Sequence, residues 1–285
     1  MRILVAGAGA VGGELAAQLA RAGHDVLALR RTRVTAAAPG RGSAVRWLAC
    51  DLCDETALGA LALDGIDALA YLVAADARDD DSYRRAYVLG LAQLLARLRA
   101  GSSLKRVLFA SSTSVYAQHD GGWVDESSPA EPREFSGRRV LEGEAVASAA
   151  GCAAIALRLG GLYGPGRGAL LERVRAGKAD LPPAPHFTNR IHLADAARAC
   201  AHLLALPQPD TCYVGVDEQP ADQAEVLRWL AAALDAPTPP GHHDASAAPT
   251  GKRCDSRRLR ASGFRFLHPS FREGYAALIA AGAHV

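Results

Sequence analysis

The sequence predicts an α/β protein, a doubly wound parallel sheet with helices on both faces and a smaller lobe toward the C-terminus. Three observations carry that expectation. Short apolar runs alternate with helix-length stretches from Arg2 to Leu159, a glycine-rich turn joins the first run to the first helix, and beyond Gly164-Pro-Gly the composition shifts to proline-stiffened loops.

Arg2 to Ala6 is a short run suited to a buried strand. Gly-Ala-Gly-Ala-Val-Gly-Gly follows, then a helix pattern that Gly23 stops, and Asp25 to Arg30 reads as the next strand. Ala44 to Ala49 is a third strand, with a short helix from about Glu55, and Asp67 to Val73 a fourth. Asp79-Asp-Asp81 is expected at a solvated helix entry, where carboxylates suit the helix dipole. Tyr83, Tyr87, Leu91, Leu94 and Leu98 recur at three and four residues, the stripe of an amphipathic helix. Lys105 to Ala110 makes a fifth strand, Ser136 to Ala150 a helix and Ala153 to Leu159 a sixth strand. Strands alternating with helices build a parallel sheet through right-handed crossovers. Leu181 to Pro185 and Ala236 to Gly241 are stiff loops around helices at about 194–206 and 221–235.

The chain of 285 residues has 32 Lys+Arg against 30 Asp+Glu, a formal net charge of +2. That balance argues against a broad basic face reading nucleic-acid phosphates. Only three basic residues are lysines: Lys105, Lys178 and Lys252. No apolar run approaches the roughly 18–20 residues of a membrane span, and the N-terminal apolar stretch is too short for a secretory signal, so the cytoplasm is expected. The six cysteines are scattered and do not form a disulfide framework. Cys50 and Cys53 have metal-knuckle spacing without a second pair, so no metal site is expected.

Gly7-x-Gly9-x-x-Gly12 lies directly between the first strand and the first helix. Gly7 permits the tight turn, Gly9 lets a pyrophosphate approach, and Gly12 lets the helix pack closely. The phosphates would rest on free N–H groups at the helix N-terminus. An NAD site places an acidic residue at the end of the second strand. Here Arg30-Arg-Thr-Arg33 stands instead, and guanidinium groups match a phosphate, so NADP is expected over NAD. The domain boundaries that follow are 1–165 for an NAD(P)-binding Rossmann domain and 166–285 for a smaller substrate lobe, interleaved with the first and not independently folding.

Further segments carry a family resemblance. Ser111-Ser-Thr-Ser-Val-Tyr-Ala117 resembles the SSxxVYG segment of extended short-chain dehydrogenases/reductases, and Asp51-Leu52 their adenine-side pair. Tyr87 to Leu95 resembles their NVxGTxNLL helix, Arg158 to Gly166 their RxxxxYGPG, and Arg190 to Asp195 their FIHVDD segment. Together these match the NAD(P)-dependent epimerase/dehydratase family, and most closely an atypical YeeZ-like branch. A ketopantoate reductase has a similar first thirty residues but not the downstream segments.

The resemblance implies cofactor contacts at Gly7, Gly9, Ala10, Val11, Gly12, Arg30, Arg31, Asp51, Leu52 and Ala74, and substrate contacts at Tyr163, Asn189 and Arg190. It implies a small-molecule substrate such as a nucleotide sugar, and a homodimer through the helices at about 82–99 and 136–150. It also implies a catalytic Tyr-x-x-x-Lys pair, and there the match breaks. Ser136 occupies the tyrosine position and Val140 the lysine position, and no tyrosine elsewhere has a lysine four residues on. A serine is a far weaker acid than a tyrosine, and a valine carries no charge. Ser112 matches the family's substrate-side Ser/Thr, although a strand-end serine also suits a structural hydrogen bond. Tyr116 is the leading substitute acid, with a packed ring as the competing reading; His119 and Glu126 are weaker candidates.

His192 is expected to bond backbone near a helix start, Asp195 to cap that helix, Arg138-Arg139 to sit on a solvated face, and His242-His243 to be solvent-exposed. Two functions are compatible with this pattern. One is an NADP-dependent oxidoreductase or epimerase with a non-standard acid–base group; the other is a nicotinamide-binding sensor that has shed catalysis.

Overall fold

The computed structural model describes residues 1–32, 45–99 and 103–282. Ala44 of the expected third strand and Arg33 of the arginine motif lie outside the described residues. By internal packing the chain divides into two units: 1–115, 130–158 and 197–213 form the first, and 116–129, 159–196 and 214–285 the second.

The first unit is built on β1 (Arg2–Ala6), β2 (Asp25–Arg30), β3 (Val45–Ala49), β4 (Ala68–Tyr71) and β5 (Arg106–Ser112). With β7 (Ala153–Leu159) and β11 (Cys212–Gly215) they form a seven-stranded sheet in the order β11-β7-β5-β4-β1-β2-β3. The pairs β1–β2, β1–β4, β2–β3 and β4–β5 are parallel, with Ile3 opposite both Val26 and Ala68. Ile3, Leu4, Val5, Val26, Leu27 and Leu69 have no exposed surface, as expected where helices cover both faces. The sheet is the Rossmann-type one that the strand–helix alternation predicts.

Its helices are α1 (Ala10–Arg21), α2 (Glu55–Gly59), α3 (Asp80–Tyr83), α4 (Gly90–Arg99) and α5 (Phe135–Ser148). From β1 the chain runs outward through β2 to β3, then returns to place β4 on the other side of β1. Such a reversal opens a crevice beyond the C-terminal ends of the two central strands, the usual ligand position in open α/β sheets. Gly7, Leu72 to Arg78 and Ser112 all lie at those strand ends.

The stripe beginning at Tyr83 is helical, but it is not one regular α-helix. Arg84–Leu89 is wound as a π-helix between α3 and α4, and Gly90 N–H reaches back five residues to Arg85 O. The buried Tyr71 hydroxyl donates to the Ala86 carbonyl at 2.5 Å, supplying a donor where the winding changes. As expected of the acidic run, Asp79 caps α3 by accepting from Ser82 N–H. Arg138 is exposed on the solvated face expected for the pair, and Arg139 beside it makes surface ion pairs with Asp80 and Glu142.

The second unit contains β6 (Asp120–Val124), β9 (His186–Thr188), β12 (Ala221–Asp222) and β13 (Thr250–Cys254), a four-stranded sheet in the order β12-β9-β13-β6, with β8 (Gly161–Tyr163) paired in parallel to β10 (Arg190–His192). Helices α6 (Ala169–Arg175), α8 (Gln223–Ala233), α9 (Arg257–Ala261) and α10 (Phe271–Ala280) belong to it, and α7 (Leu193–Ala205) begins there. Its core gathers Tyr163, Leu171, Val226, Leu230, Phe271 and Tyr275. Among the described residues no helix is long and apolar enough to cross a membrane.

Candidate functional site

The glycine-rich turn shows why each glycine stands where it does. Gly7 has φ +87°, and a Cβ there would lie 2.4 Å from the Leu72 carbonyl carbon. A Cβ on Gly12 would lie 2.4 Å from Gly7 O, so the helix could not approach the turn. Gly9 differs, because a Cβ there would meet nothing within 4 Å. No atom of the protein crowds position 9; a ligand lying on the turn would. Gly7 and Ala8 N–H groups are taken by Leu29 O at 2.9 and 3.0 Å. The first-turn N–H groups of α1, on Ala10, Val11 and Gly12, have no carbonyl one turn earlier in a helix. No acidic residue lies in that turn. The turn therefore fits a dinucleotide's pyrophosphate.

Around it stand the other expected contacts. Arg30 ends β2 with Nη2 3.1 Å from Thr32 Oγ1, and Arg31 forms a two-pronged ion pair with Asp76. Asp51 accepts from Cys53 N–H at 2.9 Å and lies 3.9 Å from Arg85, Leu52 is buried, and Ala74 is exposed.

Beside the strand ends is a cavity of about 440 Å³ lined by Ala75, Asp76, Ala77, Arg78, Tyr83, Tyr87, Ser112, Ser114, Ser136 and Val140. The structure thus brings Ser112 together with Ser136 and Val140, the two positions at which the catalytic pair is missing. Ser112 Oγ accepts from Ser114 N–H at 3.1 Å, which leaves its own proton to donate. Tyr83 and Tyr87 stand 5.3 Å apart, with Phe135 edge-on to Tyr83 at 5.5 Å and Phe109 edge-on to Tyr87 at 6.4 Å. The lining therefore combines the rings of Tyr83 and Tyr87 with the hydroxyls of Ser112, Ser114 and Ser136.

The helix presenting Ser136 and Val140 is anchored one turn further on. Glu144 takes Arg158 Nε and Nη2 at 2.9 and 2.8 Å and the Ser111 hydroxyl at 2.5 Å. Both side chains of that ion pair are nearly buried. Residues 136, 140 and 144 share one face of α5, so this network fixes which side chains reach the cavity.

In the second unit the expected site residues make contacts within the protein. Tyr116 is buried, and its carbonyl accepts the Lys252 ammonium at 2.8 Å. Burial lowers the pKa of Lys252. Asn189 holds β13 on both sides, donating to Lys252 O at 2.8 Å and accepting from Cys254 N–H at 2.7 Å. Tyr163 sits in the core 4.6 Å from Tyr275, and burial pushes its pKa up. Arg190 is buried, with Nη2 on Thr188 Oγ1 at 2.6 Å and Nη1 without a hydrogen-bond partner. Burial raises the Asp217 carboxyl to about 8, although Arg190 opposes the shift.

His192 Nδ1 accepts from Ala194 N–H at 3.2 Å, the structural role anticipated, and burial lowers its pKa to about 4. Asp195 does not cap its helix. It lies inside α7, fully buried, and accepts from Leu267 and His268 N–H at 2.7 and 2.9 Å and from the His268 ring at 3.0 Å. His243 is not exposed either: its ring lies between Pro182 O at 2.8 Å and Asp222 at 3.2 Å. Glu126 is buried on Val214 N–H, and burial raises its pKa.

Asp76, Arg78, Tyr83, Tyr87 and Ser114 also line the cavity and were not expected there from the sequence. The tyrosines carried a faint signal, being the two hydroxyl-bearing positions of a stripe otherwise made of leucine.

Residues 3–215 match the NAD dependent epimerase/dehydratase family. The chain belongs to that family. Within this NAD-dependent epimerase/dehydratase family, a 3-diazoavenalumate denitrifying reductase from Streptomyces sp is 32% identical over 309 aligned positions, which cover 96% of this chain and 99% of the relative. A Methylobacillus flagellatus protein named after the same family superposes with a TM-score of 0.84 at 34% identity over 99% of both chains. MoeE5, solved in complex with UDP-glucose and NAD, shares the fold at a TM-score of 0.79 and 23% identity over 98% of both chains.

Proposed function

We propose that this family member is a reductase that delivers hydride to an acceptor needing no proton from a Tyr-Lys pair, with NADPH preferred over NADH. The observation that carries the reading is the cavity itself, where Ser112 faces Ser136 and Val140 and no lysine is among the lining residues. Reduction of a carbonyl leaves an alkoxide that must be protonated, and a missing acid–base group costs such chemistry about a hundred- to ten-thousand-fold. An aryl diazonium makes no such demand. A C–H bond forms at the ring carbon, the C–N bond breaks, and dinitrogen leaves with the bonding pair. The nicotinamide, when bound, supplies the hydride and is left oxidised. The name of the Streptomyces relative describes a reduction of this kind on a diazo substrate.

The chain's own residues suit that task. Tyr83 and Tyr87 offer flat faces to a planar acceptor, and offset or edge-on aromatic contacts of this kind contribute about 0.5–1.5 kcal/mol beyond area. Ser112, Ser114 and Ser136 offer hydroxyls to ring substituents, and Arg78 offers a cation to a carboxylate. The aromatic rings in the lining favour such an acceptor over a nucleotide sugar. Arg30 and Arg31 support the NADPH preference, since they stand where the adenosine ribose phosphate would be read.

The test uses purified protein, a diazobenzoate and NADPH deuterated at the transferring carbon. Turnover at least about tenfold above the protein-free rate, with deuterium on the ring carbon that lost nitrogen, is the expected result. Tight cofactor binding without turnover of this or any carbonyl acceptor sinks the reductase and returns the silent nicotinamide-binding sensor. NADH binding as tightly as NADPH would defeat the cofactor preference alone.

A further inference from the structure

The Arg31–Asp76 pair joins two segments that are far apart in sequence. Arg31 directly follows β2 and Asp76 follows β4, the two strands that flank β1 on opposite sides. The glycine-rich turn lies between them. It is tied to the end of β2 through Leu29 O and touches the segment after β4 at Leu72 and Val73. A pair closed between these segments therefore crosses the turn on which a dinucleotide's phosphates would lie. Both Nη atoms of Arg31 donate to Asp76, one to each carboxylate oxygen. The side chains remain 56% and 58% exposed, open to an incoming ligand.

A carboxylate held by both prongs of a guanidinium occupies the fork that a phosphate would take. We propose that Asp76 is a specificity-determining residue that competes, within the free protein, with the cofactor's 2′-phosphate for Arg31. This rests on reading Arg31 as the residue that meets that phosphate. NADPH must draw Arg31 away from Asp76, whereas NADH has no group that competes for it. Asp76 thus reduces the advantage that the arginine gives to NADPH. Asp76 also lines the cavity, so its release changes the charge facing the acceptor at the moment the cofactor is in place.

The experiment is a double-mutant cycle of Asp76→Asn and Arg31→Ala in the full chain. It is read by fluorescence titration with NADPH, NADH and adenosine 2′,5′-bisphosphate, with thermal unfolding to show that each variant is folded. Asp76→Asn is expected to tighten NADPH and the bisphosphate about three- to fivefold and to move NADH less than about twofold. That gain corresponds to ~0.7–1 kcal/mol, the upper range for an exposed pair. Arg31→Ala should weaken both phosphorylated ligands about tenfold and abolish the effect of Asp76→Asn. The proposal is overturned if Asp76→Asn leaves NADPH binding unchanged or weaker, or if its tightening persists without Arg31. It also falls if Arg31→Ala leaves NADPH binding intact. Diazo turnover is scored separately, so the reductase reading and this one can fail independently.

Discussion

Two regions of the first unit, the turn before α1 and the cavity-facing side of α5, match the family pattern to different degrees. The turn has the glycines and the first-turn N–H groups that suit a pyrophosphate. The α5 face keeps its helix, its position beside Ser112 and its Glu144 anchor, but it carries serine and valine where the family pattern has tyrosine and lysine. The difference reflects what each job is made of. Gripping a pyrophosphate uses backbone N–H groups and the absence of side chains, so it depends on shape. Moving a proton uses two particular functional groups, and two substitutions remove it without disturbing the fold around them.

The anchor of α5 gives the sharpest way to break that comparison. Glu144→Ala removes the carboxylate that takes two Arg158 nitrogens and the Ser111 hydroxyl in a nearly buried network, and is expected to cost about 3–5 kcal/mol in denaturant unfolding. Glu144→Gln should cost less, since it can still accept from Ser111 or Arg158. A loss below about 1 kcal/mol for the alanine variant would mean that α5 holds its register without the network. Gly7→Ala comes next. A Cβ at φ +87° and 2.4 Å from the Leu72 carbonyl carbon should cost about 2–4 kcal/mol of stability and abolish dinucleotide binding with it.

Gly9→Ala sharpens the contrast because its two readouts should separate. Nothing lies within 4 Å of the added methyl, so unfolding is expected to shift by less than about 1 kcal/mol. Affinity for NADPH and NADH should nonetheless fall at least about tenfold, because the methyl stands in the path of the pyrophosphate. Equal effects on stability and affinity would show that Gly9 is structural and that the turn is no phosphate cradle.

The same division between shape and particular groups explains what could be read from the sequence. The central strands are runs such as Ile3-Leu-Val-Ala6, apolar on both faces, and the glycine spacing sits at a strand–helix joint; both patterns are local. Aligning Ser136 and Val140 with the absent pair also needed only spacing, and the cavity places both beside Ser112. The strand β6 was missed because Asp120-Gly-Gly-Trp-Val124 lacks an alternating pattern and its partner, β13, lies more than a hundred residues away. Asp195 looked like a cap from its neighbours, yet its bonds run to Leu267 and His268. Tyr83 and Tyr87 looked like core because periodicity reports a face and not what lies opposite it. A π-helical winding, which has no sequence signature of its own, then sets the direction of Tyr87.

The smallest expected effect is also the one that bears on chemistry. If hydride transfer here proceeds without a protein proton donor, the hydroxyls of Ser112 and Ser136 only hold the acceptor in place. Ser112→Ala and Ser136→Ala should then each lower kcat less than about tenfold, whereas a general acid–base group would cost about a hundred- to ten-thousand-fold. The wild-type kcat on a diazo arene should be flat across the range where a tyrosine or lysine acid would impose a limb. A hydroxyl that merely orients the ring raises KM as much as it lowers kcat; one that moves a proton lowers kcat alone and does so with a pH limb. A thousandfold loss in either serine variant, with such a limb, would place an acid–base group among the hydroxyls lining the cavity after all.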